Sequence, residues 1–135
     1  MRRIAIALSL LIALMATASA ARTFLDPDTE ELLVEAVEAA VRLDLFHARC
    51  RSDGSNRRTE NLNKMIAGKF QLTIIGVQDD LFPERSYRRA QERLQRDFAA
   101  DLRAAGGCQA ARDSGVAAQL AERYQELFSA LERLP

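Results

Sequence analysis

The chain contains two cysteines, Cys50 and Cys108, and each lies where a predicted helix ends. Cys50 precedes a polar turn at residues 53–56, and Cys108 follows a pair of glycines. Their wide spacing excludes a CxxC redox pair and does not match the ligand spacing of a metal site. Two cysteines in an exported chain usually form a disulfide. The sequence therefore predicts a structural bridge between Cys50 and Cys108 that joins two helix ends.

The first twenty residues have the three parts of a secretory signal peptide. Arg2 and Arg3 form the basic start, residues 4–16 are apolar, and small residues precede a cleavage site after Ala20. An uncleaved membrane anchor is the alternative, but a transmembrane helix needs about 20 apolar residues. We therefore expect a signal peptide at 1–20 and a single helical domain at 21–135. The mature protein should be periplasmic or secreted, without stable insertion in the membrane.

Composition and charge restrict the possible functions. A chain of 135 residues with 48% hydrophobic and 28% charged residues is typical of one globular domain. Loss of Arg2 and Arg3 with the signal peptide leaves 17 of the 19 basic side chains against 19 acidic ones. Nucleic-acid binding depends on an excess of positive charge to neutralise phosphates. The sequence therefore favours a protein that does not bind nucleic acid.

Apolar residues recur at helical spacing along four segments, residues 28–51, 58–77, 83–105 and 114–134. The β-branched run at 73–75 also fits a strand, but a single strand would have no partner in this chain. Short connections between four helices favour an up-down-up-down four-helix bundle. The first and third helices then run parallel, so that the two cysteines meet at one end. The predicted fold class is all-α, with one disulfide.

Two acidic residues interrupt the apolar stripes. On a helical wheel, Asp44 lies near the centre of the first helix's stripe and Asp101 near the centre of the third helix's stripe. In the bundle, Arg58 and Arg123 approach the same level from the other two helices. An unpaired buried charge is strongly destabilising. We therefore expect a buried polar network of Asp44, Asp101, Arg58 and Arg123 that fixes the register of the helices.

The alternative hypothesis is a small enzyme or metal-dependent protein that uses Asp44, Asp101 and His47. Two close carboxylates can share a proton or hold a cation, and His47 follows Asp44 by one helical turn. The nearby arginines favour the structural interpretation, and a single histidine without further ligands rarely forms a transition-metal site. The sequence contains no recognised catalytic motif. We therefore expect a protein that is not an enzyme and that needs no cofactor.

The third predicted helix carries a row of arginines opposite its apolar face. Five of them form the candidate binding face: Arg85, Arg89, Arg93, Arg96 and Arg103. Such a row is often only the solvated side of a helix, with Glu92 and Asp97 as local partners. In an exported protein it can also bind an acidic partner protein or an anionic envelope surface. The predicted function is therefore a non-catalytic binding or adaptor module of the cell envelope, with an envelope or secreted protein as partner.

A carrier of apolar ligands is a further possibility. Such a protein would need a cavity between its helices. Many alanines occur on the predicted helices, among them Ala36, Ala39 and Ala40. Small side chains allow helices to approach closely, so the sequence favours close packing over a ligand cavity.

Overall fold

The computed structural model describes residues 25–135, and these residues form six α-helices and no strand. The helices are α1 (Pro27–Cys50), α2 (Arg57–Phe70), α3 (Ile74–Asp80), α4 (Tyr87–Ala104), α5 (Cys108–Asp113) and α6 (Val116–Arg133). The prediction of an all-α protein is confirmed, although the described range holds six helices where the sequence predicted four. The expected signal peptide at 1–20 lies outside the described residues.

Helix α1 begins at Pro27, one residue before the start predicted from the sequence. Asp26 is the N-cap, and its carboxylate accepts hydrogen bonds from the Thr29 backbone N–H and hydroxyl at 2.9 and 2.7 Å. Pro27 occupies the first helical position, where its missing N–H costs nothing. Basic residues in the last turn suit the negative end of the helix dipole.

Helix α1 is the centre of the fold, because it contacts each of the other five helices. Three of its alanines, Ala36, Ala39 and Ala40, are buried. Their small side chains allow the neighbouring helices to approach closely. Leu33 and Val37 are fully buried among apolar residues from α2, α3, α4 and α6. The main core therefore surrounds α1 along most of its length.

The predicted second helix is divided in two. Helix α2 ends at Phe70, and Gln71 adopts the left-handed conformation with φ 56°. Thr73 then caps α3 by accepting a hydrogen bond from the Gly76 backbone N–H at 3.0 Å. The β-branched residues after Gln71 disfavour continuation of α2, and the threonine hydroxyl favours a new helix start. The prediction of one helix through residue 77 is therefore wrong.

The connections around α4 and α5 also differ from the prediction. Ser86, rather than a residue near Pro83, caps α4 by accepting a hydrogen bond from the Arg89 backbone N–H at 3.3 Å. Ser114, where the last helix was predicted to start, instead ends the short helix α5. Helix α6 starts after Gly115, whose φ of 82° suits a residue without a Cβ.

The predicted disulfide is confirmed. Cys50 and Cys108 are bonded with their Cα atoms 5.3 Å apart, so the end of α1 is joined to the start of α5. Arg112 of α5 donates a hydrogen bond to the Cys50 carbonyl at 2.8 Å. Phe46 and Phe98 form a second, smaller core beside this bridge. The disulfide thus closes one end of the domain.

Candidate functional site

Asp44 is buried on α1, and its side chain caps helix α2. It is 4% exposed, and its two carboxylate oxygens accept hydrogen bonds from the backbone N–H groups of Arg58 and Thr59 at 3.2 and 2.8 Å. The N-cap residue of α2, Asn56, has φ 52° and makes no side-chain capping bond. The first N–H groups of a helix need acceptors from outside the helix. Asp44 therefore supplies, from a neighbouring helix, the acceptor that the local sequence does not supply.

The Arg58 guanidinium lies between two carboxylates. Its Nη1 is 3.6 Å from an oxygen of Asp44 and 3.4 Å from an oxygen of Asp53. Asp53 also accepts a hydrogen bond from the Ser55 backbone N–H at 3.1 Å. Hydrogen bonds from Ser55, reinforced by Arg58, lower the pKa of Asp53 to about 2. These contacts hold the turn between α1 and α2 against the end of α1.

His47 lies at the same corner of the fold. Its Nδ1 is 3.7 Å from the Asp53 carboxylate, and its ring meets the edge of Phe46. Desolvation by burial, together with the charges of Arg58 and Arg51, lowers the pKa of His47. The imidazole is therefore favoured in its neutral form. This geometry is that of a partly buried histidine at a helix end.

Tyr124 of α6 also contacts this corner, and its polar role was not predicted from the sequence. Its hydroxyl donates a hydrogen bond to the Arg58 carbonyl at 3.2 Å. Burial, followed by the nearby charge of Asp44, raises the pKa of the phenol. Tyr124 lies on the apolar stripe of the last helix, and this position indicated only a core residue. A tyrosine in the core usually needs a hydrogen-bond partner for its hydroxyl, and this requirement could have predicted the polar contact.

Asp101 and Arg123 do not join this buried group. The Asp101 carboxylate is 59% exposed and pairs with Arg42 of α1. Arg123 is also largely exposed, and it pairs with Glu35 of α1 at 2.8 Å. The single buried network of four residues predicted from the sequence is therefore wrong, and only Asp44 and Arg58 meet.

The structure does not assemble the alternative site of Asp44, Asp101 and His47. Asp44 accepts backbone hydrogen bonds at α2, whereas Asp101 pairs with Arg42 on the surface. Across residues 25–135, no group of three or more histidine, cysteine or acidic side chains is arranged to hold a metal ion. The geometry thus gives these residues structural contacts rather than a shared site.

Two of the five arginines predicted as a binding face form contacts within the protein. Arg93 pairs with Glu38 of α1 at 2.6 Å and also contacts Glu84 and Asp97. Arg85, whose φ is 48°, donates a hydrogen bond to the Asp80 carbonyl. These contacts attach α4 to α1 and to the loop before α4. Arg93 and Arg85 are therefore structural residues, and the predicted face is smaller than the sequence indicated.

The other three arginines form what we call the arginine stripe: Arg89, Arg96 and Arg103. They are exposed, and seven-residue intervals place them along one line of α4, about 10 Å apart at the helical rise of 1.5 Å per residue. None of them forms an ion pair with another residue of the range 25–135. By contrast, Arg88 on the adjacent line pairs with Glu92. The stripe therefore presents three positive charges to the surroundings.

An open groove between α1 and α4 borders this stripe, and we call it the α1–α4 groove. Its volume is about 480 Å³. The lining residues are Leu45, Ala48, Arg49, Gln95, Phe98, Ala99, Leu102 and Arg103. The floor is apolar, and the two arginines carry the only formal charges. The sequence did not reveal the groove, because it depends on how α1 and α4 lie against each other.

No protein-family model matches the chain, and neither the curated proteins nor the solved structures contain a match. Within the described range, no helix has the length and apolar character needed to cross a membrane.

Proposed function

We propose that this protein is a non-catalytic binding module that uses the arginine stripe to hold an acidic partner protein. The observation that carries the proposal is that the arginines of α4 differ in whether they form ion pairs within the protein. Arg93 pairs with three carboxylates, while Arg89, Arg96 and Arg103 have no acidic partner in the described chain. Exposed positive charges on a fixed line attract a complementary acidic surface and accelerate association.

The backbone of α4 gives the stripe a fixed geometry. Leu94 and Phe98 are buried on the opposite side of the helix, and Arg93 attaches α4 to Glu38 of α1. The three guanidinium groups therefore project from a rigid element rather than from a loop. A partner with carboxylates repeated at similar intervals fits this surface. Three arginines are too few for tight binding to a nucleic-acid backbone.

We place this binding module in the cell envelope, as a periplasmic or secreted protein. The disulfide supports an oxidising compartment, and the sequence of residues 1–20 supports export and cleavage after Ala20. The same disulfide and the Arg93–Glu38 pair support parallel α1 and α4. We accordingly propose an up-down-up-down order for the four long helices, with α1 at the centre.

Affinity capture from envelope extract tests the binding proposal. The purified protein is immobilised, and bound proteins are eluted by increasing salt, because electrostatic binding weakens with ionic strength. The charge-reversed variant Arg89→Glu/Arg96→Glu should lose the salt-sensitive partner. The matched control is Arg88→Glu/Glu92→Arg, which exchanges the members of an existing pair and leaves the net charge unchanged. Equal capture by the reversed variant and the control would overturn the proposal.

A further inference from the structure

The α1–α4 groove combines an apolar floor with positive charge at its margin. Leu45 of α1 and Leu102 of α4 are half-buried in it, and Phe98 is buried beneath it. Its volume of about 480 Å³ lies within the range of about 300–1,000 Å³ that is typical of ligand sites. The groove can therefore take up several apolar groups from a binding partner.

The charge at the margin comes from two arginines on different helices. Arg49 belongs to the last turn of α1 and Arg103 to the last turn of α4, and both are exposed. Neither forms an ion pair with another residue of the described range, and no acidic residue lines the groove. The groove therefore complements an occupant that is apolar on one side and negatively charged beside it.

We propose that the α1–α4 groove binds an acidic amphipathic helix of a partner protein. The inference rests on the proposed function, because Arg103 belongs to both the stripe and the groove, and it adds where and how the partner is recognised. Ala48 and Ala99 line the groove, so that a third helix can approach α1 and α4 closely. Apolar residues at positions i, i+3, i+4 and i+7 of that helix enter the groove. Its flanking carboxylates meet Arg49 and Arg103.

The form of the groove favours a helix over a fatty acid. Ala48, Gln95 and both arginines are exposed, so the groove is an open trough between two helices. Sites for small apolar molecules usually enclose most of the ligand surface. The chain's own residues 1–24 are also poor occupants, because they contain arginines and no acidic residue. Charge complementarity therefore favours an acidic segment from another protein.

A synthetic peptide probe tests this proposal directly. The probe is a fluorescein-labelled helical peptide of about 18 residues, long enough to form a helix, with leucines on one face and glutamates beside them. Binding to the purified protein is measured by fluorescence anisotropy. We expect saturable binding that falls at least tenfold in the Arg49→Glu/Arg103→Glu variant. The same loss is expected when alanines replace the leucines of the peptide.

The substitution Ala48→Glu places a larger, acidic side chain in the groove, and Ala67→Glu is its matched control. Ala48 lines the groove, whereas Ala67 is exposed on α2, outside both the groove and the arginine stripe. Ala48→Glu should weaken peptide binding at least tenfold, and Ala67→Glu should leave it within twofold. Absence of saturable binding, or equal binding by the two variants, would overturn the inference. Tight binding of dodecanoate without binding of the peptide would also overturn the inference.

The two proposals fail in distinguishable ways. If Arg89→Glu/Arg96→Glu abolishes partner capture but Ala48→Glu does not, the stripe binds the partner and the groove inference is wrong. If charge reversal of the stripe leaves capture unchanged, the proposed function itself is wrong.

Discussion

Replacement of Asp44 tests whether the buried carboxylate is a structural cap. Both of its oxygens accept backbone N–H groups at the start of α2, and Arg58 lies 3.6 Å away. Asp44→Ala removes both acceptors and leaves two N–H groups and part of the Arg58 charge without a partner. Asp44→Asn keeps the shape and one oxygen acceptor, but it removes the negative charge.

The expected loss of stability follows from these contacts. A hydrogen bond to a charged group contributes about 1.5 kcal/mol at the low end, so the loss of two gives about 3 kcal/mol for Asp44→Ala. Asp44→Asn retains one acceptor and should cost about 2 kcal/mol. The matched control is Asp101→Asn, which makes the same chemical change at an exposed ion pair with Arg42. Exposed ion pairs contribute at most about 1 kcal/mol.

Urea denaturation followed by circular dichroism measures these differences as free energies of unfolding. The decrease in the urea midpoint should be smallest for Asp101→Asn, larger for Asp44→Asn and largest for Asp44→Ala, with little change in the m-value. If Asp44→Asn matched Asp101→Asn within about 0.5 kcal/mol, a typical surface effect, the capping role of Asp44 would be refuted.

Three further predictions concern the disulfide, the histidine and the α3 cap. Cys50→Ala/Cys108→Ala opens a link between residues 58 apart in sequence, and urea denaturation should show a loss of about 4 kcal/mol by the chain-entropy estimate; an unchanged midpoint would contradict it. Burial lowers the pKa of His47, so the unfolded chain, with a pKa of about 6.5, binds the proton more tightly. Stability should therefore fall as the pH drops through that value. Urea titrations at about pH 7.5 and about pH 5.5 should show a smaller pH dependence for His47→Asn than for the wild-type protein. An equal pH dependence of the two proteins would refute the contribution of His47. Thr73→Ala removes the hydroxyl that caps α3 and should cost about 1 kcal/mol in thermal unfolding; no loss would show that the cap is dispensable.

Local patterns were sufficient to predict most of the helical content. Apolar spacing predicted the long helices, because a buried face leaves a periodic trace in the sequence. The pair Cys50 and Cys108 predicted a bridge at one end of the fold, which the structure confirms. Asp44 was correctly marked as a buried charge in contact with Arg58. Its capping of α2 was not predicted, because the sequence does not show that Asn56 adopts a left-handed conformation and leaves the first N–H groups of α2 without a local cap.

Features that depend on the relative placement of helices were missed. Asp101 lies on the apolar stripe of α4 by helical angle, yet its carboxylate is 59% exposed and pairs with Arg42 of α1. Gln78 follows the end of the predicted second helix, but it is fully buried in α3 and accepts a hydrogen bond from Gln91 at 3.3 Å. Arg93 was predicted as part of the binding face, but it pairs with Glu38 of α1. A single-helix pattern does not contain these tertiary contacts.

Arginine footprinting of the captured complex tests the binding account most directly. Phenylglyoxal labels accessible guanidinium groups, and mass spectrometry gives the extent of labelling at each position with and without the partner. We predict that the partner lowers labelling at Arg89, Arg96 and Arg103, while Arg88, already paired with Glu92, changes little. Undiminished labelling of the arginine stripe in a saturated complex would contradict the central claim, because the partner would then bind elsewhere.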